Sequence, residues 1–248
     1  MSETLYILFI FLLFAVAFLY SSVGHGGASG YLALMALFGI APASMKSSAL
    51  IMNICVSLIA FYHYYRSGHF NWKIFLPFAI ASIPASFIGS FVTVDAEVYK
   101  KILGGLLIFP VLRLFGVFGK ESSETKKINY LIAAIIGCSI GFLSGMIGIG
   151  GGIILSPVIL LLHWAKMKET AAVSALFIFV NSISALAGLF SKGIHLDSSV
   201  WLWLAASLSG GFAGAYFGSR KIKSPVLKKI LAAVLLLASF KLLITHEK

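Results

Sequence analysis

Two glycine clusters interrupt long apolar runs at corresponding places in the two halves of this chain. The first is GHGGA, which begins at Gly24, and the second is GIGGG, which begins at Gly148. A helix that begins at such a turn leaves backbone N–H groups unpaired and points the positive end of its dipole at one spot. An anion can bind there without a full positive charge. The clusters therefore predict an anion site, although glycines also let helices pack closely in membranes.

Side chains within the apolar runs could add hydrogen-bond donors to such a site. His25 could donate to an anion, link binding to pH when protonated, or simply cap or pack against a helix. The serines and asparagines could line a polar path or hydrogen-bond between helices, and both roles stay open. The candidate ligands are Gly24, His25, Gly26, Gly27, Ser48, Asn53, Gly148, Gly150, Gly151, Gly152, Ser156, Ser174 and Asn181.

The composition is that of a polytopic membrane protein, because 60% of the 248 residues are hydrophobic and 11% are charged. The net charge of +11 arises from Lys and Arg residues in short connections, which indicates lipid head groups rather than nucleic acid as partners. No Asp or Glu lies within an apolar run, which disfavours a cationic cargo. Cys55 and Cys138 have no metal-type spacing, so we predict neither metal nor cofactor.

The chain has ten apolar segments, five in each half. The second segment of each half is short and begins at a glycine cluster, so we expect a half-helix or a re-entrant arm there. A polar linker at 116–127 separates a first repeat at 1–115 from a second at 128–248. The segments lie at about 5–22, 27–41, 47–65, 73–94, 99–115, 128–147, 151–164, 170–190, 199–219 and 226–245.

The two halves repeat one pattern of short motifs, and the difference in residue number between matching motifs increases slowly along the chain. The glycine clusters, the Ser-Ala-Leu runs at 48–50 and 174–176, and the Lys-Lys-Ile-Leu runs at 100–103 and 228–231 occur in the same order. An odd number of crossings in each half predicts an all-α fold of two inverted repeats. The alternative is a parallel repeat of four spans each. If both termini lie outside the cell, most of the 19 Lys and Arg residues lie on the cytoplasmic side, which is the usual bias of membrane proteins.

These residues resemble the TauE/SafE family of sulfite exporters, or anion permeases. The likeness rests on the glycine run at 24–27, the run at 145–152, the segments of Ser48 and Ser174 with Asn53 and Asn181 downstream, and Gly68 and Gly193 after the third spans. The resemblance implies transport of a small sulfur-containing anion, such as sulfite, thiosulfate or sulfoacetate, across the bacterial inner membrane. In that membrane, the outside termini predicted from the distribution of Lys and Arg would be periplasmic. The family is usually drawn with about eight spans, against the ten segments here.

Two classes of function remain to be compared. A secondary transporter would rock one repeat against the other around a central anion, with H⁺, Na⁺ or no coupling ion. A membrane enzyme or assembly factor would use histidines at segment ends, namely His63, His69, His163 and His195. We favour the transporter, and therefore no enzymatic activity, because these histidines lack an HExxH motif or a cysteine partner. The oligomeric state leaves no mark in the sequence.

Overall fold

The computed structural model describes residues 2–40, 42–93, 95–114, 125–191, 193 and 199–220, together with Leu236, Ser239, Phe240 and Leu243. This part of the chain is helical and contains no strand. The helices are α1 (Glu3–Ser21), α2 (Ala28–Leu37), α3 (Pro42–Arg66), α4 (Trp72–Phe91), α5 (Ala96–Leu114), α6 (Tyr130–Ile147), α7 (Gly152–Leu161), α8 (Met167–Phe190) and α9 (Val200–Arg220).

The helix starts follow from local chemistry. The side chains of Ser2, Asn71 and Asn129 accept hydrogen bonds from the first turns of α1, α4 and α6. The predicted start of α3 at residue 47 was late, because the helix begins at Pro42. Proline is favoured at a first helical position, since its missing N–H would have no partner there.

Six of the described helices are long and apolar enough to cross a membrane: α1, α3 from Ser44 onward, α4, α6, α8 and α9. The second helix of each half, α2 and α7, has only 10 residues. That length gives about 15 Å, roughly half of a hydrocarbon core. The protein is therefore an all-helical, multi-pass membrane protein. Most of the predicted segment 226–245 and of the predicted linker lies outside the described residues.

Glycines spaced four apart bring two pairs of helices into backbone contact. Gly210, Gly214 and Gly218 of α9 face, in that order, the carbonyl groups of Phe14 and Phe18 of α1 and of Ser22 just after it. Gly137, Gly141 and Gly145 of α6 face Phe78, Ser82 and Ser86 of α4 in the same way. Contacts that advance together along both chains mean that each pair runs parallel. The spacing is the small-xxx-small pattern of close membrane-helix packing.

We expect Gly214→Val to destabilise the protein, because a Cβ at Gly214 would overlap the Phe18 carbonyl group. Overpacking of this kind costs about 1–3 kcal/mol. Gly105→Val in α5 is the matched control, since a Cβ there meets nothing within 4 Å. Thermal unfolding of the purified variants measures the difference, and equal melting temperatures would contradict the close packing.

The central helices α3 and α8 run in opposite directions. The Asn53 side chain donates to Ser182 Oγ at 2.9 Å. Further along α3, Ala60 shares a buried cluster with Ala175, and Tyr64 shares one with Ala171. The partner on α8 therefore moves backward as α3 advances. Asn53 lies near the middle of the 25-residue α3, so its contacts mark the centre of the helical bundle.

Candidate functional site

The two short helices begin at the centre of the bundle and lead away from it. α2 starts at Ala28, whose N–H donates to Asn53 Oδ1 at 3.2 Å. It runs back along α1. Ser29, near the start of α2, contacts Tyr20 near the end of α1, and Phe38, just after α2, packs against Phe9 near the start of α1. α7 likewise begins beside Ile140 and Ser144 of α6. Both breaks thus lie beside Asn53 in the middle of α3, and irregular backbone within a membrane must be covered by protein.

Glycine is required at both breaks by backbone geometry. The residue before α2, Gly27, has φ = 98°, and the residue before α7, Gly151, has φ = 76°. Side chains rarely adopt this left-handed conformation, so each cluster turns the chain sharply into a new helix. Because glycine has no side chain, neither capping residue can accept a hydrogen bond from the first-turn N–H groups of its helix.

Asn53 lies between the two clusters. A Cβ at Gly26 would overlap its Oδ1 atom, and a Cβ at Gly150 would overlap its Nδ2 atom. Its side chain is fully buried, with Oδ1 engaged by Ala28 of the first half and Nδ2 engaged by Ser182 of the second. A single amide therefore joins the start of α2, the turn before α7 and the central helix α8.

Both first turns retain unpaired backbone donors. Among the described residues, the N–H groups of Ser29 and Gly30 in α2 and of Gly152 and Ile153 in α7 have no hydrogen-bond acceptor. Such groups at the positive ends of two helix dipoles favour a negative charge. No Asp or Glu side chain in the described part is buried to compete for them.

His25 connects the first cluster to the second half through two serines. Its Nδ1 lies 3.0 Å from the Val23 carbonyl oxygen, and its Nε2 lies 3.0 Å from Ser156 Oγ on α7. Ser156 Oγ is in turn 2.6 Å from Ser174 Oγ on α8. All three polar side chains are buried, with His25 only 2% exposed. The chain of hydrogen bonds crosses from one half of the protein to the other.

Two of the predicted ligands are positioned differently from the rest. Asn181 donates through Nδ2 to Ser82 Oγ of α4 and to the Phe177 carbonyl group, so it faces α4 and not the helix starts. Ser48 lies on α3 before Asn53, with a fully buried hydroxyl that has no partner among the described residues. The structure thus places around the two helix starts the residues Gly26, Gly27, Asn53, Gly150, Gly151 and Gly152, and leaves Asn181 outside.

The remaining two glycines pack against the central helices on either side of Asn53. A Cβ at Gly24 would lie 2.6 Å from the Cβ of Ala171, and one at Gly148 would lie 2.8 Å from Lys46 Cγ. Ala171 lies at the level of Tyr64, beyond Asn53 along α3, whereas Lys46 precedes Asn53. The loop before α2 and the loop before α7 therefore close the central region from opposite sides.

The candidate ligands chosen from the sequence do not include several residues that shape this region. Ser182 accepts from Asn53, and Tyr31 donates from its hydroxyl to the Gly26 carbonyl oxygen at 2.8 Å. Ile178 fills the space beside Gly150 and Gly152. Ser182 is one of the serines that were expected to line a polar path or hydrogen-bond between helices, and its bond with Asn53 is of the second kind. Nothing in the sequence points to Tyr31 or Ile178.

The described histidines at segment ends lie in separate places. His63 packs against the rings of Phe212 and Tyr216 near the end of α3. His69 lies in the α3–α4 loop, where burial and then the nearby Lys168 charge lower its pKa. His163 follows α7, and His195 lies outside the described residues. Within the described part, no three metal-ligating side chains come together.

The chain is similar to known proteins over most of its length. The model of the family described as sulfite exporter TauE/SafE matches residues 8–242. The chain belongs to the TauE/SafE family. The resemblance identified from the glycine clusters is thereby confirmed.

Relatives of this TauE/SafE protein bear the names of transporters. The probable membrane transporter protein y4hK of Sinorhizobium fredii is 38% identical over 234 residues, covering 93% of this chain and 95% of the relative. The probable membrane transporter protein MJ0441 of Methanocaldococcus jannaschii is 30% identical over 187 residues, covering 70% and 68%. The probable membrane transporter protein YdhB of Bacillus subtilis is 26% identical over 221 residues, covering 86% and 89%. The family and these names indicate a membrane transporter rather than an enzyme.

Proposed function

We propose that this TauE/SafE protein transports a small sulfur-containing anion, which it binds at the starts of α2 and α7. The observation that carries the proposal is that the start of α2 and the turn before α7 both contact the buried side chain of Asn53, and that the first turns of both helices have unpaired N–H groups. Two positive helix ends and an amide suit an oxyanion, whose several oxygens each accept hydrogen bonds. The lack of a buried carboxylate in the described part also favours an anion over a cation.

We propose further that the two halves are inverted repeats that move against each other. The opposite directions of the corresponding helices α3 and α8 support this arrangement. The two parallel helix pairs support it as well. In such a repeat α1 corresponds to α6 and α4 to α9, so the pair α1–α9 has its counterpart in the pair α6–α4. Opening the contact of Gly24 with Ala171 would expose the centre to one side of the membrane. Opening that of Gly148 with Lys46 would expose it to the other.

The sulfur chemistry of the cargo rests on family membership. The family description names a sulfite exporter, and sulfite, thiosulfate and organosulfonates such as sulfoacetate share a compact anionic group built of sulfur and oxygen. For this chain we propose the bacterial inner membrane as the location, with both termini on the periplasmic side. The basic residues Arg66 and Arg220, at the ends of α3 and α9, would then lie inside.

Ligand-dependent thermal stability of the purified protein tests the proposal. Sulfite, thiosulfate and sulfoacetate are each titrated, with chloride and a divalent cation as comparison ligands. A ligand that binds only the folded state adds about 2.7 kcal/mol at a hundred times its Kd. We expect a saturable rise in melting temperature with at least one sulfur anion. A rise with the cation alone would overturn the anion site.

We expect Lys46→Gln to weaken anion binding. Lys46 is half-buried against the loop that precedes α7, and seven residues of helix place its backbone about 10 Å from the level of Asn53. At an effective dielectric constant of about 20, a charge about 10 Å from an anion attracts it by about 1–2 kcal/mol, so removing the ammonium group should lower the affinity by up to about tenfold. The control is Lys101→Gln, an exposed lysine paired with Glu97. Equal anion affinities for both variants would exclude this contribution.

A further inference from the structure

We propose that His25 binds a proton that is transported together with the anion, so that this TauE/SafE protein couples anion flux to H⁺. This inference rests on the proposed function and adds the identity of the coupling ion. Among the described histidines, His25 alone lies beside the helix starts, within the hydrogen-bonded chain to Ser156 and Ser174. It is the group there whose ordinary titration falls in the physiological range.

The hydrogen bonds fix which nitrogen of His25 can take up the proton. A backbone carbonyl oxygen only accepts, so the contact with Val23 assigns the hydrogen of the neutral ring to Nδ1. Nε2 then carries a lone pair, which accepts from the hydroxyl of Ser156. Ser156 Oγ in turn accepts from the hydroxyl of Ser174. In this form the hydroxyl groups of Ser174 and Ser156 both donate in the direction of the imidazole.

Protonation at Nε2 reverses that chain. The imidazolium donates to Ser156 Oγ, and the Ser156 hydroxyl turns to donate to Ser174 Oγ. The Ser174 hydroxyl is released for another acceptor, such as a carbonyl group one turn earlier, as Ser139 does with Ile135 at 3.0 Å. Both serines can make this change without losing a bond, because a hydroxyl both donates and accepts. The site therefore accommodates either charge state with its hydrogen bonds intact.

The protonated state favours an anion at the neighbouring helix starts. His25 immediately precedes Gly26, which contacts Asn53, and Ser156 lies one turn into α7. A positive charge there adds to the two helix dipoles, and low-dielectric surroundings strengthen the attraction. By linkage the anion must favour the proton to the same extent. The pair would cross the membrane with less net charge than the anion alone.

The groups that pack against His25 are mainly hydroxyls, so we take the imidazole to be the group that binds the proton. Tyr20 from α1 faces the ring at 6.5 Å between ring centroids, and its hydroxyl is hydrogen-bonded to Ser29 at 2.9 Å. α7 and α8 present the hydroxyls of Ser156 and Ser174, which do not titrate. Four charged side chains lie on the neighbouring α3 and α8. The Cγ atom of Lys46 contacts Gly148, Arg66 lies over the ring of Tyr62, Lys168 lies near His69, and Glu169 accepts from Asn71 at 2.7 Å.

Proton uptake on anion binding tests the inference. Thiosulfate is the probe, because it carries no proton that titrates near neutral pH. We expect the purified protein in weakly buffered solution to take up protons when thiosulfate binds, and His25→Gln to bind thiosulfate without proton uptake. Wild-type affinity should fall by up to about tenfold per pH unit above the transition, the slope for one linked proton. His69→Gln, a loop histidine outside the site, should keep that slope.

A second variant separates coupling from loss of folding. Ser174→Ala removes the acceptor that Ser156 needs in the protonated form, so we expect proton uptake to persist with its midpoint at lower pH. In vesicles, an inward thiosulfate gradient should acidify the lumen with wild-type protein and not with His25→Gln. Thiosulfate binding without any proton uptake would overturn the coupling and leave the anion site standing. Proton uptake that persists in His25→Gln would overturn the role of this residue. Failure of every sulfur anion to bind would overturn the proposed function itself.

Discussion

Asn53→Asp is expected to abolish anion binding while the protein still folds. The aspartate side chain has the size of the asparagine, and one carboxylate oxygen can still accept from the N–H of Ala28. Its negative charge would then lie between the starts of α2 and α7 and occupy the positive potential that the transported anion needs. At about 4 Å and an effective dielectric constant of about 20, the repulsion of an incoming anion is about 4 kcal/mol, or a factor near a thousand in affinity. Binding is measured by the thiosulfate-induced shift in melting temperature.

Asn181→Asp is the matched control, because it makes the same change on the other central helix. Asn181 is also fully buried, yet it faces Ser82 of α4 and not the helix starts. Both variants bury one carboxylate, so both should lose stability for that reason. We expect anion affinity to fall far more in Asn53→Asp. A loss of affinity that is equal in the two variants would show that the anion does not bind at the helix starts.

Gly150→Ala is the second change from which we expect a large effect, namely the loss of transport. Gly150 has φ = 72°, and a Cβ there would overlap Asn53 Nδ2 and lie 2.9 Å from Ser182 Oγ. The methyl group would displace the amide that joins the two halves. Backbone strain costs about 1–2 kcal/mol, and overpacking adds about 1–3 kcal/mol. Thiosulfate flux into vesicles and thermal unfolding measure the two consequences.

Gly68→Ala isolates the backbone part of that cost. Gly68 has φ = 73°, almost the same as Gly150, but a Cβ there meets nothing within 4 Å. We expect Gly68→Ala to lose about 1–2 kcal/mol of stability and to transport normally. If Gly150→Ala also transports at the wild-type rate, the contact with Asn53 has no part in function.

Much of the fold follows from short-range features of the sequence. Each described helix corresponds to a predicted apolar segment, because a run of about 20 apolar residues has few stable alternatives in a bilayer. The short lengths of α2 and α7 follow from glycines that turn the chain at Gly27 and Gly151. The predicted site remains a prediction, and its largest departure from the structure is Asn181. Periodicity gives the spacing of residues along α8 but not the neighbour that each one faces.

The sequence by itself determined that this is a helical membrane protein of the TauE/SafE family, broken at two glycine clusters. These properties depend on hydropathy and on residues close together in the chain, so they can be read without coordinates. Only the tertiary structure decided that Asn53, from the first half, touches both clusters, and that His25 reaches Ser156 and Ser174. The physical reason is the antiparallel crossing of α3 and α8, which brings residues more than a hundred positions apart to one level. That crossing is set by packing between helices, which no local pattern encodes.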